Sequence, residues 1–208
     1  MYFEKAGREN TIKTIELAVK TAKERGIKNI VVASNAGDTA LLLKDSGLNA
    51  VVVTHVNGFR EAGIQEISEA RMEELKSCGF KVYTSTHVLS GAERALSTKF
   101  GGISPVEVMA YSLRMFGQGV KVAVEVATMA LDGGTIPYGE DIISIGGSGK
   151  GADTAIILTP AHGSAILDTK IKEIICKHII FNKFLYLIKF TKCNKCYRNI
   201  CLKVIELC

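Results

Sequence analysis

The sequence predicts an α/β fold built on a five-stranded, mostly parallel sheet whose last strand runs antiparallel. Three observations lead there. Short apolar runs such as Ile30-Val31-Val32-Ala33 and Ala50-Val51-Val52-Val53 show no polar alternation, as strands buried on both faces do. Between such runs lie stretches of helical apolar spacing, long enough for the crossover connections that parallel strands need. Only residues 147–153 separate the fourth strand from the fifth, too few for a crossover, so the fifth must turn back antiparallel.

Taken in order, Tyr2 to Gly7 is an arm too short to classify. From Asn10 or Thr11 to Arg25, the residues Ile12, Ile15, Ala18, Val19 and Ala22 share a helical face, and Gly26 stands where a left-handed C-cap is wanted. The first strand is expected at about 28–33. A loop from Ser34 to Asp38 follows, then a short helix over 39–46 capped by Thr39 or Asp38 and closed by Gly47. Ala50 to Thr54 forms the second strand. Ile67, Ala70, Leu75 and Cys78 give the next helix one apolar stripe before Gly79, and 81–86 is the third strand. Ser90-Gly91-Ala92-Glu93 and Ser104-Pro105-Val106-Glu107 are capping boxes that start two helices, the second with Met109, Leu113 and Phe116 inward and an end at Gly117. Residues 120–132 can be read two ways, since Val120, Val122, Val124 and Val126 alternate as in a strand. Lys121, Glu125, Thr128 and Asp132, however, draw one polar stripe along a mostly buried helix, and helix is the reading adopted. Residues 141–146 and 154–158 supply the fourth and fifth strands.

The 208 residues have about the length of one domain, with enough apolar residues for a single core. No uncharged apolar run approaches the roughly 18 residues of a membrane span, and Met1-Tyr2-Phe3-Glu4-Lys5 does not open a signal peptide, so a cytoplasmic protein is expected. The formal charge of +5 suggests a nucleic-acid partner until it is divided along the chain. Residues 177–208 hold seven Lys or Arg and one Glu, which leaves 19 basic against 20 acidic residues in 1–176. The body is therefore neutral, and neither nucleic acid nor a membrane is expected as partner. The tail also holds four of the six cysteines and none of the twenty glycines, a composition foreign to the body. Cys193-Asn194-Lys195-Cys196 lacks the second ligand pair of a zinc site and the strand-helix setting of a redox pair. The expected organisation is a domain over 1–176 and a non-native or frame-shifted extension over 177–208.

Two loops carry the functional signal. Ser34-Asn35-Ala36-Gly37-Asp38-Thr39 joins a buried strand to a helix, an arrangement that leaves several N–H donors pointing one way at a positive helix end, where a phosphate can sit. The same residues also make a plain capped β-α turn. Gly147-Ser148-Gly149-Lys150-Gly151-Ala152 matches a dinucleotide fingerprint by letter, but a strand follows instead of a helix, and Ser144 and Gly151 occupy the wrong places for a Walker loop. What remains is a glycine-rich concavity with one cation, Lys150, able to hold an anion, or else a glycine-rich hairpin with a solvated lysine. If the strand order is 3-2-1-4-5, both loops meet at the carboxyl edge of the sheet, where open α/β sheets bind ligands. His55 and His87 follow the second and third strands at that edge and are weak candidates for acid-base work, with simple structural hydrogen bonding the commoner role. Glu93 and Glu125 are read as structural, His162 falls at the far edge, and no metal-ligand or Ser-His-Asp constellation stands out.

These residues resemble the carboxyl-terminal α/β domain of pyruvate kinase, and more closely small stand-alone proteins built on it. Ile30 to Ala40 looks like that domain's allosteric phosphate loop, and Gly146 to Thr154 like its glycine-rich sugar-phosphate loop. Gly7-Arg8-Glu9-Asn10-Thr11, Leu89-Ser90-Gly91-Ala92-Glu93-Arg94, Gly151-Ala152-Asp153-Thr154-Ala155 and Ile171-Lys172-Glu173-Ile174-Ile175-Cys176 are similar to the stand-alone proteins. The resemblance covers about 2–176. It implies a three-layer α/β/α fold of order 3-2-1-4-5 and a flavin mononucleotide (FMN) ligand, which stand-alone members hold. Carried onto this sequence, the binding residues would be Ser34, Asn35, Gly37, Asp38, Thr39, Thr54, Gly147, Ser148, Gly149, Lys150, Gly151 and Thr154. Two departures matter: Ala36 replaces a phosphate-binding serine, and Asp38 sets a negative charge beside the anion, so fructose bisphosphate is not expected as effector. Kinase activity is not expected of these residues either, because the catalytic barrel takes about 250 residues of its own. The reading is a phosphorylated-ligand binder. A flavin-dependent oxidoreductase and a metabolite-sensing regulatory module are the alternatives, with homo-oligomerisation left open.

Overall fold

The structure, a computed structural model, describes residues 1–179. Its strands are β1 (Tyr2–Phe3), β2 (Asn29–Ala33), β3 (Asn49–Val53), β4 (Lys81–Tyr83), β5 (Ile142–Gly146), β6 (Thr154–Thr159) and β7 (Lys170–His178). The helices are α1 (Thr11–Arg25), α2 (Asp38–Leu41), α3 (Glu69–Ser77), α4 (Ala92–Phe100), α5 (Pro105–Arg114) and α6 (Gln118–Asp132), with two short 3-10 turns at Arg8–Asn10 and Gly163–Asp168.

All seven strands form one mixed sheet of order β1-β7-β6-β5-β2-β3-β4. The expectation of a five-stranded sheet is corrected on this point, because β7 and β1 extend it beyond β6. β7 was missed because Lys170, Lys172 and Glu173 leave it without an apolar run, being an edge-side strand with one exposed stretch. β1 is only two residues long and is held parallel to β7 through Tyr2 and Phe3. Parallel pairing joins β4 to β3, β3 to β2 and β2 to β5, while β6 lies antiparallel to β5 with Gly146 opposite Thr154. β7 runs two residues past the expected boundary at 176. The extension expected over 177–208 falls, from residue 180 onward, outside the described residues.

Alternation along the strands divides the core in two. Ile30, Val32, Ala50, Val52, Ile143, Ile145, Ala155 and Ile157 face Ile15, Ala18 and Ala22 of α1 and Leu75 of α3. Val31, Val51, Val53, Ile142, Ile156 and Leu158 face the opposite way, onto Val120, Ala123, Val124, Ala127 and Leu131 of α6. Burying one apolar stripe against each sheet face is what fixes three layers. The helical reading of 120–132 holds: α6 is buried almost throughout, with Lys121 Nζ and Glu125 Oε2 paired at 2.5 Å inside it. That pairing is how two charges survive in a core helix; Glu125 also accepts from the Leu89 N–H at 3.0 Å. Burial pushes the Lys121 ammonium below its ordinary range, against the pull of Glu125.

Several local expectations are corrected. α1 ends at Gly26 in a left-handed C-cap, but Ile12 points to solvent and Thr11 and Thr14 take the buried places. α2 is a single turn, and its cap is Gly37 without a side-chain hydrogen bond, so neither Asp38 nor Thr39 caps it. The capping box at Ser104 and Glu107 is complete. The one proposed at Ser90 is not, because α4 starts after Gly91, whose N–H goes to Glu93. Phe116, expected inward, is exposed. Among the described residues no helix is long and apolar enough to cross a membrane.

Candidate functional site

Because β4, β3, β2 and β5 are parallel, their carboxyl ends open on one edge, and the antiparallel β6 begins there. Ser34, Thr54, Thr84 and Gly147 are the first residues beyond these four strands, so the two loops singled out from the sequence stand at the same edge. The sheet ladder continues one step past the strands, with Ser34 N–H donating to Val53 O and Thr54 N–H to Tyr83 O, each at 3.0 Å.

The loop after β2 then breaks away from the ladder. Among the described residues, the N–H groups of Asn35, Ala36, Gly37, Asp38 and Thr39 donate to no backbone or side-chain acceptor. The hydroxyls of Ser34 and Thr39, both on buried residues, make no hydrogen bond there either. Gly37 has φ 89°, and a Cβ on it would lie 2.6 Å from Cγ of Arg71, so the position demands glycine on two counts. Arg71 of α3 lies across the loop and pairs with Asp38 at 3.5 Å and with Glu74 at 3.4 Å. The charge of Asp38, read from sequence as a simple liability, thus has a cation beside it. A one-turn helix supplies little dipole, so the loop's capacity for an anion rests on its successive N–H groups.

The loop after β5 is organised around an anion of its own. Asp153 is fully buried and accepts from Gly7 N–H at 3.1 Å, Ser148 N–H at 3.2 Å and the Thr154 hydroxyl at 2.8 Å. Ala152 N–H is taken by the Thr11 hydroxyl at 3.0 Å. The glycines serve close packing here: a Cβ at Gly147 would collide with the Gly151 carbonyl, and one at Gly151 with Thr11. Lys150 stays exposed and forms no ion pair among the described residues. Ser148 Oγ and Asp153 Oδ2 both approach the same nitrogen, Nδ1 of His178, at 3.4 and 3.7 Å. A nucleophilic triad needs the two on opposite ring nitrogens, so this is a structural clasp of β7.

His55 and His87 do converge, with ring centroids 5.4 Å apart, and Phe59 packs 3.9 Å from His55 and 5.3 Å from His87. Nδ1 of His55 contacts Glu66, whose other oxygen is held by Arg60 at 2.7 Å. Burial holds His87 below its ordinary value, and Glu125 opposes that only in part. The Thr54 and Thr84 hydroxyls, at the ends of β3 and β4, bond to each other at 2.5 Å. His162 lies at the far edge, paired with Asp132 at 2.8 Å and stacked on Tyr138. Among the described residues no group of three or more His, Cys, Asp and Glu could hold a metal. Two concavities lie away from these loops, one of about 380 Å³ at the amino edge beside Asn29, Asn49 and Lys81, the other of about 260 Å³ between α1 and residues 42–46.

The profile of the family described as "Pyruvate kinase, alpha/beta domain" matches residues 12–158, well over half of the chain. The chain belongs to the pyruvate kinase α/β domain family. Solved structures similar to this pyruvate kinase α/β domain include a pyruvate kinase from Cryptosporidium parvum, 17% identical over 78% of this chain and 22% of that one, with a TM-score of 0.34. Pyruvate kinase of the same organism in complex with ADP is 16% identical over 78% of this chain and 23% of its own, with a TM-score of 0.36. The chain spans under a quarter of the length of these relatives. Arg71, Phe59, Glu66 and His178 went unnoticed in the sequence of the domain. Arg71 and His178 act through contacts between distant segments, Glu66 and Phe59 through the fold of their own loop, and only the aromatic character of Phe59 within a polar loop was there to be seen.

Proposed function

We propose that this pyruvate kinase α/β domain binds a phosphorylated small molecule, FMN, along the carboxyl edge of β2, β3 and β4. The observation that carries the reading is the run of five N–H groups, Asn35 to Thr39, with no acceptor among the described residues. A phosphate dianion would take several of them, together with the hydroxyls of Ser34 and Thr39. Each charge-assisted bond is worth about 1.5–3 kcal/mol net. From there to the rings of His55, Phe59 and His87 is one to two strand spacings, about 5–10 Å, a distance that the five-carbon chain of FMN bridges. Half-exposed Phe59 gives a planar ring a face to stack on. Gly147 to Thr154 would form the opposite wall, with Lys150 adding charge and Asp153 keeping the loop in shape.

Fluorescence titration with FMN and with riboflavin tests the phosphate's role. FMN is expected to bind about 100-fold or more tightly than riboflavin, the equivalent of two charge-assisted bonds. Equal affinities, or no FMN binding, overturn the reading.

A second reading, a flavin-dependent oxidoreductase, is favoured by the Glu66 contact at Nδ1 of His55, which leaves Nε2 without a hydrogen-bond partner among the described residues. In that case the bound flavin would supply the redox chemistry, and His55 would hold or release a proton at Nε2. Consumption of NADH or NADPH by the FMN-loaded protein, lost in His55→Ala, would separate it from a regulatory module.

A further inference from the structure

Arg71 stands where its own helix does not favour it. It lies in the first turn of α3, three residues after the capping Ser68, whose hydroxyl takes the Arg71 N–H at 3.2 Å, and the positive end of a helix disfavours a cation. The stem of the side chain is committed. Cγ and Cδ of Arg71, with Leu75 one turn on, pack against Gly37, so the arginine starts from the β2 loop itself. The guanidinium is not committed. Its approaches to Asp38 and Glu74 stop at 3.5 and 3.4 Å, and none of its N–H groups makes a hydrogen bond among the described residues. Both carboxylates are more than half exposed, so these pairs hold the guanidinium only weakly. Beside it lie the free N–H groups of Asn35 to Thr39 and the unpartnered hydroxyls of Ser34 and Thr39, on residues only 5% and 8% exposed.

We infer, on the phosphate reading of the β2 loop proposed above, that Arg71 is the site's switching cation: its guanidinium leaves Asp38 and Glu74 for the bound phosphate and thereby selects phosphomonoester dianions over phosphodiesters and carboxylates. The selection follows from competition. Before a ligand arrives, one cation faces two carboxylates, so the surroundings of the loop carry an excess of negative charge. A monoanion offers the guanidinium no more charge than Asp38 already does, and it must sit beside that same carboxylate. A phosphomonoester carries close to two charges near neutral pH and has three acceptor oxygens. It can take a bidentate pair from the guanidinium and several loop N–H bonds at once. The movement is small, because a guanidinium on a stem held at Gly37 turns about its outer torsions and leaves α3 in place.

The test is flavin fluorescence titration of the full chain with three probes that share one ring system: FMN, the methyl ester of its phosphate, and riboflavin. Wild type is expected to bind FMN at least about tenfold more tightly than the singly charged ester, the worth of one charge-assisted bond. Arg71→Met keeps a stem over Gly37 and drops the charge. In that variant FMN should weaken about tenfold, and its preference over the ester should shrink to about threefold or less. Riboflavin affinity and the urea midpoint should stay as they are. Arg71→Lys restores the charge without the planar fork, so FMN affinity should fall between the two. Unchanged FMN affinity in Arg71→Met, or a wild type that does not separate FMN from its ester, overturns the inference while leaving the loop N–H groups as the phosphate site. Equal losses for all three probes in Arg71→Met overturn it too, by assigning the arginine to packing. A wild type that binds FMN no better than riboflavin overturns the phosphate reading of the loop, and the switch with it.

Discussion

The loops after β2 and after β5 start from adjacent parallel strands, at the same edge and with similar compositions, yet they end in opposite states. The β5 loop closes on a carboxylate from its own chain: Asp153 receives Gly7, Ser148 and Thr154, and Thr11 receives Ala152. The β2 loop offers five successive N–H groups to nothing among the described residues, and its one carboxylate, Asp38, turns outward to Arg71. A glycine-rich loop is thus not a ligand site because of its glycines. What matters is whether its donors already have an acceptor, because a buried N–H without one costs about 1–3 kcal/mol.

The sharpest way to break this comparison is Asp153→Ala. It would strip the acceptor from two backbone N–H groups and a buried hydroxyl, and loosen β7 at His178. A loss of about 2–4 kcal/mol in urea unfolding is expected, less than the bonds would suggest because an ion's desolvation is recovered. A loss below about 0.5 kcal/mol, the range of ordinary surface changes, would mean that Asp153 does not organise the loop.

That asymmetry marks where reading the sequence stops. The five inner strands and the antiparallel return of β6 were legible because buried parallel strands are continuous apolar runs and because seven residues cannot make a crossover; their order was assumed and came with the family resemblance, and a five-stranded sheet is not what forms. The position of both loops at one edge followed from the topology alone. β7 was not legible as a strand, since its charges follow an edge role, and α2 shrank to one turn at its far end, where residues 42–45 continue only as turns and Asp45 takes a positive φ. The partner of each loop donor was out of reach. Asp153 is a turn residue by its neighbours, and only its contact with Gly7, across 146 positions, reveals it as the loop's internal anion. Arg71 lies on a helix whose polar face gives no hint that one arginine's methylene stem covers Gly37.

On the β2 side the expected pattern is reversed: little change in stability and a clear change in binding. Ser34→Ala and Thr39→Val remove hydroxyls that bond to nothing among the described residues, so unfolding free energy should move by no more than about 0.5 kcal/mol. FMN affinity should fall about 3- to 15-fold for each, the value of one hydrogen bond to a phosphate. Gly37 is a poorer probe, since its φ and the Arg71 contact would confound binding with strain. A stability loss of 2 kcal/mol or more in Ser34→Ala would show that the hydroxyl has a structural acceptor, and the contrast between the loops would fail.

The smallest effect, and the finest test of the anion site, belongs to Asp38→Asn. Asp38 is well exposed, so its repulsion of a bound phosphate acts largely through water; at about 5–6 Å that is worth below 1 kcal/mol and is further screened by salt. Removing the charge also releases Arg71, which lies over Gly37 and can swing toward an anion on the loop. Both changes favour binding, so FMN affinity should rise about two- to fivefold at low ionic strength, with most of the gain gone at 1 M salt. The double variant Asp38→Asn/Arg71→Gln separates the two causes: a gain that survives belongs to the lost carboxylate, and one that vanishes belongs to the released arginine. A fall in FMN affinity in the single variant would place the phosphate elsewhere than on the β2 loop, since no anion held by those N–H groups is helped by a neighbouring carboxylate.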